Sequence, residues 1–229
     1  MTERTDKKFE SDMRALRERL LKMAGKVEEM IASTTRALVE RDSSLAEEIV
    51  AADRDVDHLE IENDEHCLEI LALHQPAATD LRFIRIALKT VTDLERIGDE
   101  CVNIAERALE LNREPQLKPL IDIPRMAGIA QDMVAEALDA LVQGDADKAL
   151  AVCLRDDEVD ALNHQIFREL VSYMTEDPRT ITRASALIAV AKHLERIADH
   201  ATNIAEMVVF LVRGIDIRHR TGEARVDGK

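Results

Sequence analysis

A thirteen-residue stretch, Leu94-Glu95-Arg96-Ile97-Gly98-Asp99-Glu100-Cys101-Val102-Asn103-Ile104-Ala105-Glu106, returns 100 residues later as Leu194-Glu195-Arg196-Ile197-Ala198-Asp199-His200-Ala201-Thr202-Asn203-Ile204-Ala205-Glu206, identical at nine positions. Both copies lie inside long helical patterns, so what repeats is a helix, and the chain must build two related helical units. A helix core explains the shared Leu, Ile and Ala; the shared Glu, Arg, Asp and Asn need another reason. At about 100° per residue, Glu95, Asp99, Asn103 and Glu106 share one narrow stripe, and Leu94, Ile97, Cys101, Ile104, Ala105 and Ala108 fill the neighbouring arc. Earlier in the same helix, Leu81, Ile84 and Leu88 project where the acidic stripe lies later, so the stripe borders the buried face. Carboxylates at i and i+4 repel by a few tenths of a kcal/mol unless a positive group sits between them. Arg96 points elsewhere on the wheel, so its own helix is not expected to supply that group.

The rest of the chain reads as helices. Apolar residues at three- and four-residue steps run from about Phe9 to Leu38, from Ser44 to His74, from Thr79 to Asn112, from Ile123 to Val142, from Ala146 to Met174, and from Pro178 to Arg213. Asp42-Ser43-Ser44 and Gly144-Asp145 supply stops and caps, and Gln75-Pro76 and Asp177-Pro178 break the pattern. Three of the five prolines fall between Glu114 and Pro124, a linker between halves. The expectation is an all-α protein of two tandem three-helix bundles, six long antiparallel helices related by a pseudo-twofold internal repeat. The repeats span residues 8–113 and 119–213; residues 1–7 are frayed, and 214–229 form a mobile tail.

A formal charge of -15 speaks against nucleic-acid binding and fits cations or basic partner surfaces. Three widely spaced cysteines, Cys67, Cys101 and Cys153, fit buried thiols in a reducing compartment. The start of the chain carries no signal-peptide pattern, and no apolar run approaches the roughly 20 residues of a membrane helix, so a cytoplasmic protein is expected.

The middle helix of each half repeats a carboxylate pair as well: Asp53 and Asp57 in the first, Asp156 and Asp160 in the second. Set against Glu95, Asp99 and Asn103, and against Glu195, Asp199 and Asn203, these make two oxygen-rich candidate sites. Their chemistry suits hard or borderline metals such as Mg, Mn, Fe or Zn. With 46 acidic residues in the chain, a single Glu-x-x-x-Asp is ordinarily a solvated face; four pairs at equivalent places carry more weight. Di-iron bundles use Glu-x-x-His, which neither copy has, and this argues against redox chemistry. His58, Glu62 and His66 at i, i+4 and i+8 are read as a solvated face, and His164 and His193 as surface residues. There is no Gly-rich phosphate loop, nucleophile elbow or Ser/His/Asp set, and nothing argues for an enzyme. A metal-storage bundle and a purely structural scaffold remain the alternatives to a regulatory role.

The duplicated Leu-Glu-Arg-Ile-x-Asp-x-x-x-Asn-Ile-Ala-Glu, with Pro76-Ala77-Ala78-Thr79-Asp80-Leu81-Arg82 ahead of its first copy, resembles the PhoU family over residues 8 to 213. That resemblance implies a cytoplasmic homodimer and a negative regulator of the phosphate-starvation response. Such a protein links the ATPase subunit of the phosphate ABC transporter to a phosphate-sensing histidine kinase and meets the membrane only through these partners. It also implies metal on the motif carboxylates, here Glu95, Asp99, Glu195 and Asp199 with Asp53, Asp57, Asp156 and Asp160 facing them; Asn103 and Asn203 extend the same stripe. The second half has Asp177-Pro178-Arg179-Thr180-Ile181-Thr182-Arg183 in place of the first half's proline run, so equivalence of the two sites is not implied.

Overall fold

The computed structural model describes residues 2–217, with side chains from residue 7. Six helices follow in order: α1 (Thr2–Glu40), α2 (Ser43–His74), α3 (Ala78–Leu111), α4 (Asp122–Gln143), α5 (Ala146–Glu176) and α6 (Ile181–Arg213), with a 3₁₀ turn at Pro178–Thr180 before the last. Among the described residues there is no strand. Helix α1 begins at Thr2 and not near Phe9, so residues 2–7 continue the helix that was expected to fray.

Sequence chemistry sets most of the boundaries. The Asp42 carboxylate accepts a hydrogen bond from the Leu45 amide at 3.0 Å, and Asp145 accepts from the Asp147 and Lys148 amides, each at 3.0 Å. Each aspartate thus satisfies an amide that the first helical turn leaves without a partner. Gly144 and Gly214 end α4 and α6 at φ 66° and 68°, a left-handed conformation that glycine adopts without a Cβ penalty.

Arg41 holds the same conformation, φ 59°, with a full side chain. Its guanidinium donates to three carbonyl oxygens at the end of α3: Leu111 and Asn112 at 3.1 Å and Glu114 at 2.6 Å. The turn after α1 is thereby tied to the start of the linker, and the linker to the second half: Arg183 donates to the Pro115 carbonyl at 2.9 Å and Lys118 pairs with Glu169.

Helices α1–α3 pack on one another, as do α4–α6, and the halves meet through α3 against α6 and α1 against α4. The buried residues of both halves form one continuous cluster. Leu94, Ile97 and Ile104 and their second-copy partners Leu194, Ile197 and Ile204 lie in it at no more than 2% exposure. Burying such a side chain is worth about 1.5–3 kcal/mol. In the tail that was expected to begin at residue 214, Gly214 and Asp216 are exposed, Ile215 packs against the cluster and Ile217 is buried. Residues 218–229 of that tail lie outside the described residues.

Asn63 interrupts the apolar core. Asn63 is fully buried; its amide nitrogen donates to the Leu59 carbonyl at 2.6 Å, but its oxygen has no partner. The corresponding residue of the second repeat is Ile166, also buried. An unsatisfied buried acceptor costs about 1–3 kcal/mol. Asn63→Leu is therefore expected to raise stability by about 1 kcal/mol in urea unfolding. A decrease would show that Asn63 makes a needed hydrogen bond.

Candidate functional site

The acidic residues singled out in the first half come together on the α2–α3 seam. Gly98 makes the approach close: a Cβ built there would stand 3.3 Å from Asp53 Oδ1 and 3.3 Å from Val56 Cγ1. Burial first, and then the Asp57 and Asp99 carboxylates, push the Asp53 carboxyl up to about 6. Glu95 is raised by burial and by Asp99, with Arg96 pulling the other way. Like charges crowded and desolvated in this way are stabilised by any positive charge brought near them.

Two further α2 residues belong to this face. Glu60 is raised by burial, then by Asp64, Asp57 and, beyond the opposing pull of Arg96, Asp99; Asp64 is raised by burial. Asp53, Asp57, Glu60 and Asp64 stand at i, i+4, i+7 and i+11, so one α2 stripe was visible in the spacing. Looking only for i, i+4 pairs missed its second half. In the second repeat these two places hold Asn163 and Phe167, so the stripe is not duplicated.

Arg96 overturns one expectation. It reaches Glu95 at 3.5 Å and Asp99 at 3.4 Å, so the helix does supply its own partial neutraliser. Its long side chain leans back over neighbours that its Cα direction misses. The matching Arg196 does something else: it crosses to Glu100 of α3 at 3.3 Å. In the second half it is Lys192 that bonds to Glu195.

The second half sets its carboxylates on α5 and α6. Burial first, and then the Glu195 carboxylate across the seam, raise the Asp160 carboxyl above its ordinary value. Asp199 is raised by desolvation and then by Glu195, although its side chain reaches solvent. Asp156, four residues before Asp160 on α5, is half-buried. The two asparagines part company: Asn103 is half-buried, whereas Asn203 is exposed and lines a groove with Lys89, Thr92 and Asp93 of α3. The stripe's last members differ as well, Glu106 being exposed and Glu206 buried.

By donor chemistry both carboxylate sets fit a hard cation, which all-oxygen ligands suit. By position, among the described residues, no three His, Cys, Asp or Glu side chains are gathered into a metal-holding group. A bound ion requires these carboxylates to swing toward one another. His58 contacts Glu62 at 3.2 Å, but His66 turns away to the Asp12 carbonyl oxygen of α1 at 3.2 Å, so the i, i+4, i+8 histidine set is divided.

Two polar contacts between the halves come from positions where the copies differ. Glu100 of α3 bonds to His193 of α6, and Asp93 of α3 bonds to Nδ1 of His200 at 2.8 Å. Positions 93 and 100 are acids in the first copy; positions 193 and 200 are histidines in the second. The pairs run in opposite order along the two helices, so α3 and α6 are antiparallel. His193, expected at the surface, is half-buried in this seam.

All three cysteines are buried, and burial pushes the Cys67 thiol up to about 12 and Cys101 higher still, which leaves those two unreactive packing groups. None of the described helices is long and apolar enough to cross a membrane.

Comparison with known proteins follows the duplication. The PhoU domain model matches residues 20–108 and again residues 123–208. A relative from Pseudomonas aeruginosa named "phosphate-specific transport system accessory protein PhoU homolog" is 43% identical over 220 residues, covering 96% of this chain and 91% of the relative. A namesake from Aquifex aeolicus is 44% identical over 213 residues, covering 93% and 96%. The crystal structure of PhoU from Pseudomonas aeruginosa superposes with a TM-score of 0.88 at 44% identity, covering 90% of this chain and 100% of that one. The phosphate transport system regulatory protein PhoU from Streptococcus pneumoniae superposes at 0.86 with 28% identity, covering 91% and 98%. Each three-helix repeat is by itself a match to the PhoU domain, and the chain belongs to the PhoU family.

Proposed function

We propose that this protein is an accessory regulator of phosphate-specific transport that restrains the phosphate-starvation two-component response when phosphate is plentiful. It couples the ATPase subunit of the phosphate ABC transporter to the sensor histidine kinase, acts in the cytoplasm as a homodimer, and carries out no catalysis. The observation that carries this reading is the likeness over nearly the whole chain to relatives named as accessory proteins of that transport system.

The acidic α2–α3 and α5–α6 faces supply the metal part of the proposal. Glu95, Asp99, Asp53 and Asp57 hold one cation and Glu195, Asp199, Asp156 and Asp160 another, with Asn103 and Asn203 beside them. The metal is Fe, Zn, Mg or Mn, and when bound it offers charge neutralisation across two helices. The raised Asp53, Glu95, Asp160 and Asp199 carboxyls support it, since each gains from a nearby positive charge.

The test is complementation. In a bacterium deleted for its own family member, expression of this chain is expected to restore repression of a phosphate-starvation reporter in phosphate-rich medium. A stably expressed, helical protein that leaves the reporter fully induced sinks the regulatory reading.

A further inference from the structure

Away from its acidic face, α3 carries the opposite charge. From Leu81 to Thr92 it holds Arg82, Arg85 and Lys89 and no acid, in a chain of net charge -15. The spacing of i, i+3 and i+7 puts the three on one side of the helix, and all three are exposed. Among the described residues none of them has a carboxylate within salt-bridge distance. The Arg82 guanidinium folds back onto its own helix, to the Ala78 carbonyl at 3.3 Å. Beside them, Arg17 of α1 lies over the Phe83 ring at 4.8 Å. The second repeat has Thr182, Ser185 and Ala189 at the equivalent places, so neither the fold nor the duplication requires this charge.

The stripe borders a groove. Arg85 and Lys89 flank Ile86 of α3 and the half-buried Met207 and Phe210 of α6. Past Lys89 the groove opens into a cavity of about 480 Å³ along Leu88, Thr92 and Asn203. Two carboxylates also line it, Asp93, already paired with His200, and Asp64 of α2.

We propose that this α3–α6 groove is a docking surface for an acidic segment of a partner protein. Carboxylates of the segment pair with Arg85 and Lys89, and an apolar side chain between them packs on Met207 and Phe210. Arginine suits the task because its planar fork meets a carboxylate with two hydrogen bonds. An inorganic anion makes no use of the apolar floor that Ile86, Met207 and Phe210 supply beside the two cations. The proposal rests on this surface alone and stands whether or not the regulatory reading does.

Fluorescence anisotropy of the full chain with a short labelled peptide repeating Glu-Glu-Leu tests it, beside a peptide repeating Gln-Gln-Leu. The Glu peptide is expected to bind, to weaken as salt rises, and to lose about tenfold or more in affinity in the Arg85→Glu, Lys89→Glu variant. Arg168→Glu, a reversal of an exposed charge on α5, keeps binding, and circular dichroism reports the helicity of each variant. If the double reversal loses helicity, Arg85→Gln with Lys89→Gln gives the same reading without reversed charge. Equal binding of both peptides, or undiminished binding by the charge-removed variants, overturns the proposal. So does binding confined to phosphatidylglycerol vesicles or to inorganic phosphate, which reassigns the surface to lipid or free anion.

Discussion

The Asp53→Asn, Asp99→Asn double variant is expected to melt at a higher temperature than the parent in chelator at pH 7, and to bind Mn²⁺ at least about 100-fold more weakly. Both effects come from the burial of Asp53 and from the like charges crowded beside it. The Asp53 carboxyl is raised from 3.8 to about 6, so the folded state holds its proton more tightly than the unfolded chain does. Ionising it costs folding free energy. That cost is absent below pH 4, grows between pH 4 and 6, and is fully present above pH 6. Asparagine keeps the shape and removes the charge, so the variant gains stability where the parent is penalised and flattens the pH profile between 4 and 6.

A bound cation reverses the comparison. Ligand at a hundred times its dissociation constant stabilises the folded state by about 2.7 kcal/mol, and this gain belongs to the parent alone. Melting curves in chelator and in Mn²⁺, from pH 4 to 8, read both signs. A variant no more stable than the parent in chelator removes the crowding argument; unchanged Mn²⁺ affinity removes the site.

The second large effect is steric. Gly98→Leu is expected to destabilise the protein by about 1–3 kcal/mol, because its side chain enters the space held by Asp53 and Val56. It also drives α2 away from α3, so Asp53 moves from the Asp99 carboxylate and its raised pKa falls back. Gly98→Ala adds only a Cβ, at contacts of 3.3 Å, and regains about 1 kcal/mol of helix propensity, so the two effects roughly offset. The second copy already has alanine at this place, and Ala198→Gly is expected to cost about 1 kcal/mol. Urea unfolding of the three variants checks the order. A Gly98→Leu protein as stable as Gly98→Ala means the seam is loose and the close approach of Asp53 is not enforced by packing.

How much of this was legible in advance follows from what each property depends on. The helices, their caps and the two repeats depend on neighbours within a few positions, so Asp42, Asp145, Gly144 and Gly214 marked them correctly from sequence. The α1 start and the 3₁₀ turn after Asp177 escaped, since polar helix ends and proline breaks carry little periodic signal.

The placement of the candidate carboxylates was half legible. Asp53, Asp57, Glu95 and Asp99 could be placed on facing helices from spacing alone, and α3 does bring its acids to α2. The wheel gives only Cα directions, however, and Arg96 bends back to the acids that the wheel placed out of its reach.

The contact between halves was not legible. Nine identities drew attention to what the copies share, while the seam is built partly from what they do not: Glu100 against His193, Asp93 against His200. The sequence determined a duplicated all-α chain with acidic faces on equivalent helices, because helix formation and face patterning are local. Only the tertiary structure decided that α3 lies antiparallel to α6, that Arg96 pairs within its own helix while the identical Arg196 crosses to Glu100, and that Gly98 admits Asp53. Each of those depends on which surfaces meet, and distant segments meet only when burial has chosen the packing.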